Sequence, residues 1–72
     1  MTWLDDFADA LGVERMSAGD IDLVLDLARD VAHGSERKNA PPAAFLAAMF
    51  VASGKGNVAD AVRKAEALID QA

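Results

Sequence analysis

The stretch "IDLVLDLARDVAHG", residues 21–34, decides the fold. At the ~100° per residue of an α-helix, Ile21, Leu23, Val24, Leu25, Leu27, Ala28, Val31 and Ala32 fill a wide apolar arc. Asp22, Asp26, Arg29, Asp30 and His33 fill the narrow remainder. A helix apolar over more than half its circumference is covered on several sides. The spacing predicts a central helix over residues 21–33, with Asp20 as N-cap and Gly34 as the stop just past its end.

Upstream, the spacing predicts a helix over residues 3–11. Thr2 stands as N-cap with Asp5 three residues on, and Asp5 and Asp6 suit the positive end of the helix dipole. Trp3, Phe7 and Leu11 recur at intervals of four, beside Leu4 and Ala10, and form one apolar stripe. Gly12 ends the helix, and "VERMSAG" reads as a loop.

Downstream, "SERKNA" is a short loop. Pro41 suits a first helical turn, and a helix follows over residues 41–52 without a single charge. Phe45, Leu46, Met49 and Phe50 form its bulky half. Ala43, Ala44, Ala47, Ala48 and Val51 form its small half. Gly54 and Gly56 break the chain. A last helix over residues 58–71 begins at the capping pair Asn57 and Asp60. Its stripe is Val58, Ala61, Val62, Ala65, Leu68 and Ile69, with Asp60 and Lys64 as an i,i+4 pair on the far side. No strand pattern, internal repeat or low-complexity tract is present. The expectation is all-α: a compact four-helix bundle forming one domain over residues 1–72.

Composition sets the outer limits. The chain has 72 residues, no cysteine and an apolar share of 53%. Disulfides and cysteine-based zinc sites are excluded, and so is a disordered composition. The net charge of −5 is wrong for nucleic acid, which needs a basic face, and for an anionic membrane surface. The N-terminus lacks the basic and apolar regions of a signal peptide. No apolar run approaches the ~20 residues of a spanning helix. A cytoplasmic protein is the expectation.

Three clusters carry candidate chemistry. Asp26, Arg29, Asp30 and His33 share one side of the central helix. Two carboxylates and an imidazole can ligate a metal or act as an acid–base pair. With a single histidine, further ligands would have to be carboxylates such as Asp5, Asp9 or Asp22. The plainer reading is a solvated face: Asp26 and Asp30 pair with Arg29 or His33, and His33 suits the negative end of the helix. Arg37 and Lys38, just beyond the helix, join Arg29 and His33 as a potential receiver of a phosphate or carboxylate. "GKGN", residues 54–57, precedes a helix N-terminus but lacks the P-loop pattern. Ser17, Ser35 and Ser53 have no histidine partner evident in sequence. No catalytic residue, metal ligand or cofactor is assigned.

The uncharged helix is the most unusual feature. In a bundle of this size each helix shows one face to water. Either this helix is wholly buried, or Phe45, Leu46, Met49 and Phe50 meet another chain.

"LVLDLARDVAHG" with Arg37, Ala40-Pro41 and Phe45-Leu46 resembles a small bacterial all-helical domain of unknown function. That domain is found alone or fused to the molybdenum cofactor guanylyltransferase of molybdopterin guanine dinucleotide biosynthesis. The likeness covers roughly residues 3–68, and its motif falls on Asp26, Arg29, His33, Arg37 and Pro41. The third helix departs from the family pattern, with alanines and Met49 where a glycine is usual, and "RKNAPP" differs from the usual loop. The resemblance implies a guanylyltransferase or related protein as partner. The expected function is a non-enzymatic accessory or protein-interaction domain, as a possible homodimer. The alternative is a small anionic-ligand domain, taking a phosphate or pterin-like group on Arg29, His33 and Arg37 beside Asp26 and Asp30.

Overall fold

The computed structural model describes residues 2–71. Four helices follow one another: α1 (Trp3–Leu11), α2 (Ala18–Gly34), α3 (Ala40–Ala52) and α4 (Val58–Asp70). A 3-10 turn, Arg37–Asn39, leads into α3. No strand occurs among the described residues. The architecture is the expected all-α four-helix bundle.

The helix ends show how local chemistry sets the boundaries. The Thr2 hydroxyl accepts from the Asp5 amide at 3.2 Å, opening α1. Gly12 takes a left-handed φ of 72°. Its N–H donates to the Asp9 carbonyl, and the Val13 N–H to the Ala8 carbonyl, a Schellman closure. Gly54, φ 74°, closes α3 in the same way, with Gly54 N–H to the Val51 carbonyl and Lys55 N–H to the Phe50 carbonyl. At α4 the capping box is complete: the Asn57 side chain accepts from the Asp60 amide at 2.8 Å, and the Asp60 carboxylate accepts from the Asn57 amide at 3.0 Å.

Several boundaries differ from the sequence reading. α2 begins three residues early because Ser17, not Asp20, is its cap, and the Ser17 hydroxyl accepts from the Asp20 amide at 3.1 Å. Gly34 remains helical. Ser35 ends the helix instead, its N–H and hydroxyl both reaching the Val31 carbonyl. The reason for a glycine at 34 is proximity: a Cβ there would lie 2.5 Å from Ile69 Cγ2. α3 starts at Ala40, with Pro41 in its first turn. Pro41 and Pro42 have no N–H, so that turn needs fewer capping acceptors. Asp60 pairs with Arg63 and not with Lys64.

α2 is central, as its wide apolar arc requires. It packs along both α3 and α4, and α3 packs against α4. The core cluster is Leu27, Val31 and Val62, with Leu23, Ala43, Ala47, Val58 and Ala65 packed around it; Ala8 of α1 is buried apart from this cluster. Leu25 and Leu68, expected in apolar stripes, face outward and are exposed. α3 turns Ala43, Ala44 and Ala47 inward and leaves Phe45, Leu46 and Met49 exposed, with Ala48 beside them. α1 lies at the periphery: none of its Cα atoms comes within 8 Å of a Cα in another helix.

The dimensions reflect this. The Cα radius of gyration is 12.6 Å, against about 11 Å for a compact chain of this length. The accessible surface is 5341 Å², roughly 1,000 Å² above the scaling expectation for a folded monomer of this mass.

Candidate functional site

The polar side of α2 is the first cluster to place. Arg29 sits between two carboxylates, 3.4 Å from Asp26 and 3.6 Å from Asp30. These are solvated ion pairs, with Arg29 and Asp26 about half exposed or more, and such pairs contribute little. Arg29 therefore has its charge matched within its own helix. His33 lines a shallow hollow of about 480 Å³ with Asp30, Gly34, Glu66, Ile69 and Asp70. That hollow gathers three carboxylates around one imidazole. Neither Arg29 nor Arg37 lines it. Arg37 lies in the exposed 3-10 turn, where Lys38 pairs with Glu36 at 3.3 Å. The surroundings of His33 are thus acidic, the wrong sign for a phosphate or pterin-like anion. No group of three or more His, Asp or Glu side chains among the described residues has metal-binding geometry.

The apolar surface is more distinctive. Of the four residues assigned to an interface, Phe45, Leu46 and Met49 are 69%, 63% and 52% exposed. Phe50 is half-buried, its ring against Gly56, where a Cβ would lie 2.7 Å from Phe50 Cζ. The structure brings Phe45, Leu46 and Met49, and not Phe50, to the outside of α3. Beside them runs a groove of about 240 Å³ with Leu27 at its base and Ala43, Ala47, Ala61 and Ala65 along its walls. Leu46, Phe50 and Lys64 complete it. The alanines leave space between α3 and α4 that larger side chains would fill. This volume is below that of ordinary small-molecule pockets, ~300 Å³ or more, and matches a protein side chain better.

The second apolar surface is the α1 stripe. Trp3 and Phe7 stack with ring centroids 5.1 Å apart. Trp3 is 72% exposed, and Leu4, Phe7 and Leu11 are also exposed. The stripe was legible in the spacing, but its lack of a covering helix was not. Sequence reading also missed what ties the α1–α2 loop. Arg15 grips Asp9 with two hydrogen bonds, Nε to Oδ1 at 3.0 Å and Nη2 to Oδ2 at 2.6 Å. A spacing of six residues across a left-handed turn has no periodic signature. The guanidinium holds the Asp9 carboxyl below the usual aspartate range.

No helix is long and apolar enough to cross a membrane among the described residues. No curated protein and no solved structure matches the chain. The model of a family described as "Domain of unknown function (DUF6457)" matches residues 1–72. The chain belongs to that family.

Proposed function

We propose that this domain is a non-enzymatic protein-interaction module that binds through the outer face of α3 and the stripe of α1. One observation carries the reading. A single small domain leaves Trp3, Phe7 and Leu11 on α1 and Phe45, Leu46 and Met49 on α3 all exposed, and clustered exposed apolar surface of this kind marks protein contact sites. The polar cluster on α2 supports it from the other side: Arg29 has its charge matched by Asp26 and Asp30 and is not left free to receive an anionic substrate. The resemblance to domains fused to molybdenum cofactor guanylyltransferase makes that enzyme the partner to test.

The test is sedimentation velocity of the chain mixed with purified molybdenum cofactor guanylyltransferase. A complex is expected, weakened at least about tenfold by Phe45→Ser with Met49→Ser, since the central apolar anchors of an interface, the minority that carry its energy, each contribute more than ~1 kcal/mol. Both residues are exposed, so the variant remains folded. Absence of a complex refutes this partner. A complex indifferent to the α3 variant refutes the assigned face.

A further inference from the structure

The groove between α3 and α4 and the uncovered stripe of α1 fit each other, and they belong to the same chain. Resting on the reading of these faces as protein-contact surfaces, we infer that two copies exchange α1. The stripe of each lies along the groove of the other, with Phe7 seated in it and Trp3 and Leu11 against its two ends.

Four observations select a second copy as occupant. The first is length. At 1.5 Å per residue, the stripe from Trp3 to Leu11 spans about 12 Å, and the groove wall from Ala43 to Phe50 about 10 Å. Side chains at i, i+4 and i+8 entering an apolar groove are the helix-in-groove mode.

The second is charge. α1 carries Asp5, Asp6 and Asp9 and no base. The groove has Lys64 at its edge, and Lys55 joins Lys64 and Phe50 in the adjoining hollow. Asp5, Asp6, Lys55 and Lys64 form no ion pair among the described residues. Asp6 flanks the stripe and meets this basic rim, while Asp5 on the far side of α1 adds only longer-range attraction that speeds encounter.

The third is area. Each copy exposes roughly 1,000 Å² more than a folded monomer of its mass. Burying that excess on both copies removes about 2,000 Å², the upper end of the range for stable, specific interfaces.

The fourth is the hinge. The left-handed Gly12, the twofold Arg15–Asp9 grip and the Ser17 cap define the path from α1 to α2. That path holds α1 off its own bundle, leaving its own groove open.

Trp3 is the single tryptophan, so its fluorescence reports the seat directly. The experiment is sedimentation equilibrium and Trp3 emission on one dilution series of the 72-residue chain. Phe7→Asp and Leu46→Asp follow as single variants and as a mixture. The expected result is a dimer, with emission moving to shorter wavelength as the dimer forms. Each variant alone dimerises at least about 900-fold more weakly, because the ≥2 kcal/mol anchor is lost from both seats of the exchanged dimer. Their mixture regains association, because one intact stripe then meets one intact groove. Both substituted residues are exposed in the monomer, and circular dichroism confirms that each variant is folded. A monomer with shielded Trp3 at every dilution overturns the exchange in favour of α1 folding onto its own groove. A dimer with exposed Trp3, or a mixture no stronger than its parts, overturns the seat while leaving α3 as a contact face. A monomer with exposed Trp3 that still binds the guanylyltransferase overturns the exchange and leaves the proposed function standing. If it binds neither, both fall.

Discussion

Replacing Gly34 by alanine should destabilise the domain, against the ordinary rule for helices. At an unencumbered helical position, Gly→Ala gains about 1 kcal/mol by reducing the freedom of the unfolded chain. Gly34 lies within α2 and its φ is not left-handed, so alanine is acceptable to the backbone. The obstacle is Ile69 on α4. A Cβ at position 34 lies 2.5 Å from Ile69 Cγ2 and 3.0 Å from Cγ1 and Cδ1. Ordinary carbon contacts are ~3.5–4.0 Å, so the overlap is about 1 Å at the nearest atom. Cγ1 and Cγ2 are bonded directly to Cβ, and a β-branched side chain in a helix holds one χ1 rotamer. Ile69 therefore cannot swing aside, and the helices must part. Overpacking of this kind costs about 1–3 kcal/mol. Set against the gain, the net loss is about 1 kcal/mol, in a domain whose whole stability is about 4–11 kcal/mol. Urea denaturation followed by circular dichroism measures it. In an Ile69→Ala background the obstacle is gone, and Gly34→Ala should then stabilise by about 1 kcal/mol. A stabilisation of that size in both backgrounds refutes the close approach of α2 and α4.

Three other perturbations follow from the same structure. Leu27 is 2% exposed, the least of the core residues, so Leu27→Ala should cost about 2–5 kcal/mol in the same denaturation assay. Asn57→Ala removes one half of the α4 capping box and should cost about 0.5–2 kcal/mol, seen as a lower thermal midpoint. Arg15 lowers the Asp9 pKa, so the favourable pairing is present above the unfolded-state pKa and is lost as pH falls through the folded one. An NMR titration should find the Asp9 midpoint below those of the unpaired aspartates, and Arg15→Ala should return it to the usual range.

Much of the architecture was legible because helical periodicity is a local signal. The wide apolar arc of residues 21–34 identified the central helix, and the Thr2, Gly12 and Asn57 caps fall where their chemistry requires. Gly34 was misread because glycine serves two purposes, a left-handed turn and a close approach, and only the position of Ile69 separates them. Ser17 outcompeted Asp20 as cap because both are good acceptors, and the choice depends on how far the helix can extend backward. The dilemma of uncharged α3 had a physical answer that composition could not supply. Its alanines fit the narrow space beside Leu27 and Val62, so its bulky residues point outward. The α1 stripe was visible as a stripe, but the same pattern serves a helix covered by its own chain and one awaiting a partner. The charged side of α2 looked like a site because spacing reveals which residues share a face. It does not reveal that Arg29 is matched by Asp26 and Asp30, or that His33 looks onto Glu66 and Asp70 from another helix.

The most direct test is amide hydrogen exchange of the chain, diluted until it is monomeric. A nine-residue helix whose backbone approaches no other helix, and whose one buried residue is Ala8, is marginal. The amides of Ala8 to Leu11 should therefore exchange with almost no protection, while those of Leu27, Val31 and Val62 exchange only through global unfolding. Equal protection across all four helices in the monomer would contradict this. It would mean that α1 belongs to the monomer's own core and that its stripe is not a surface kept for another chain.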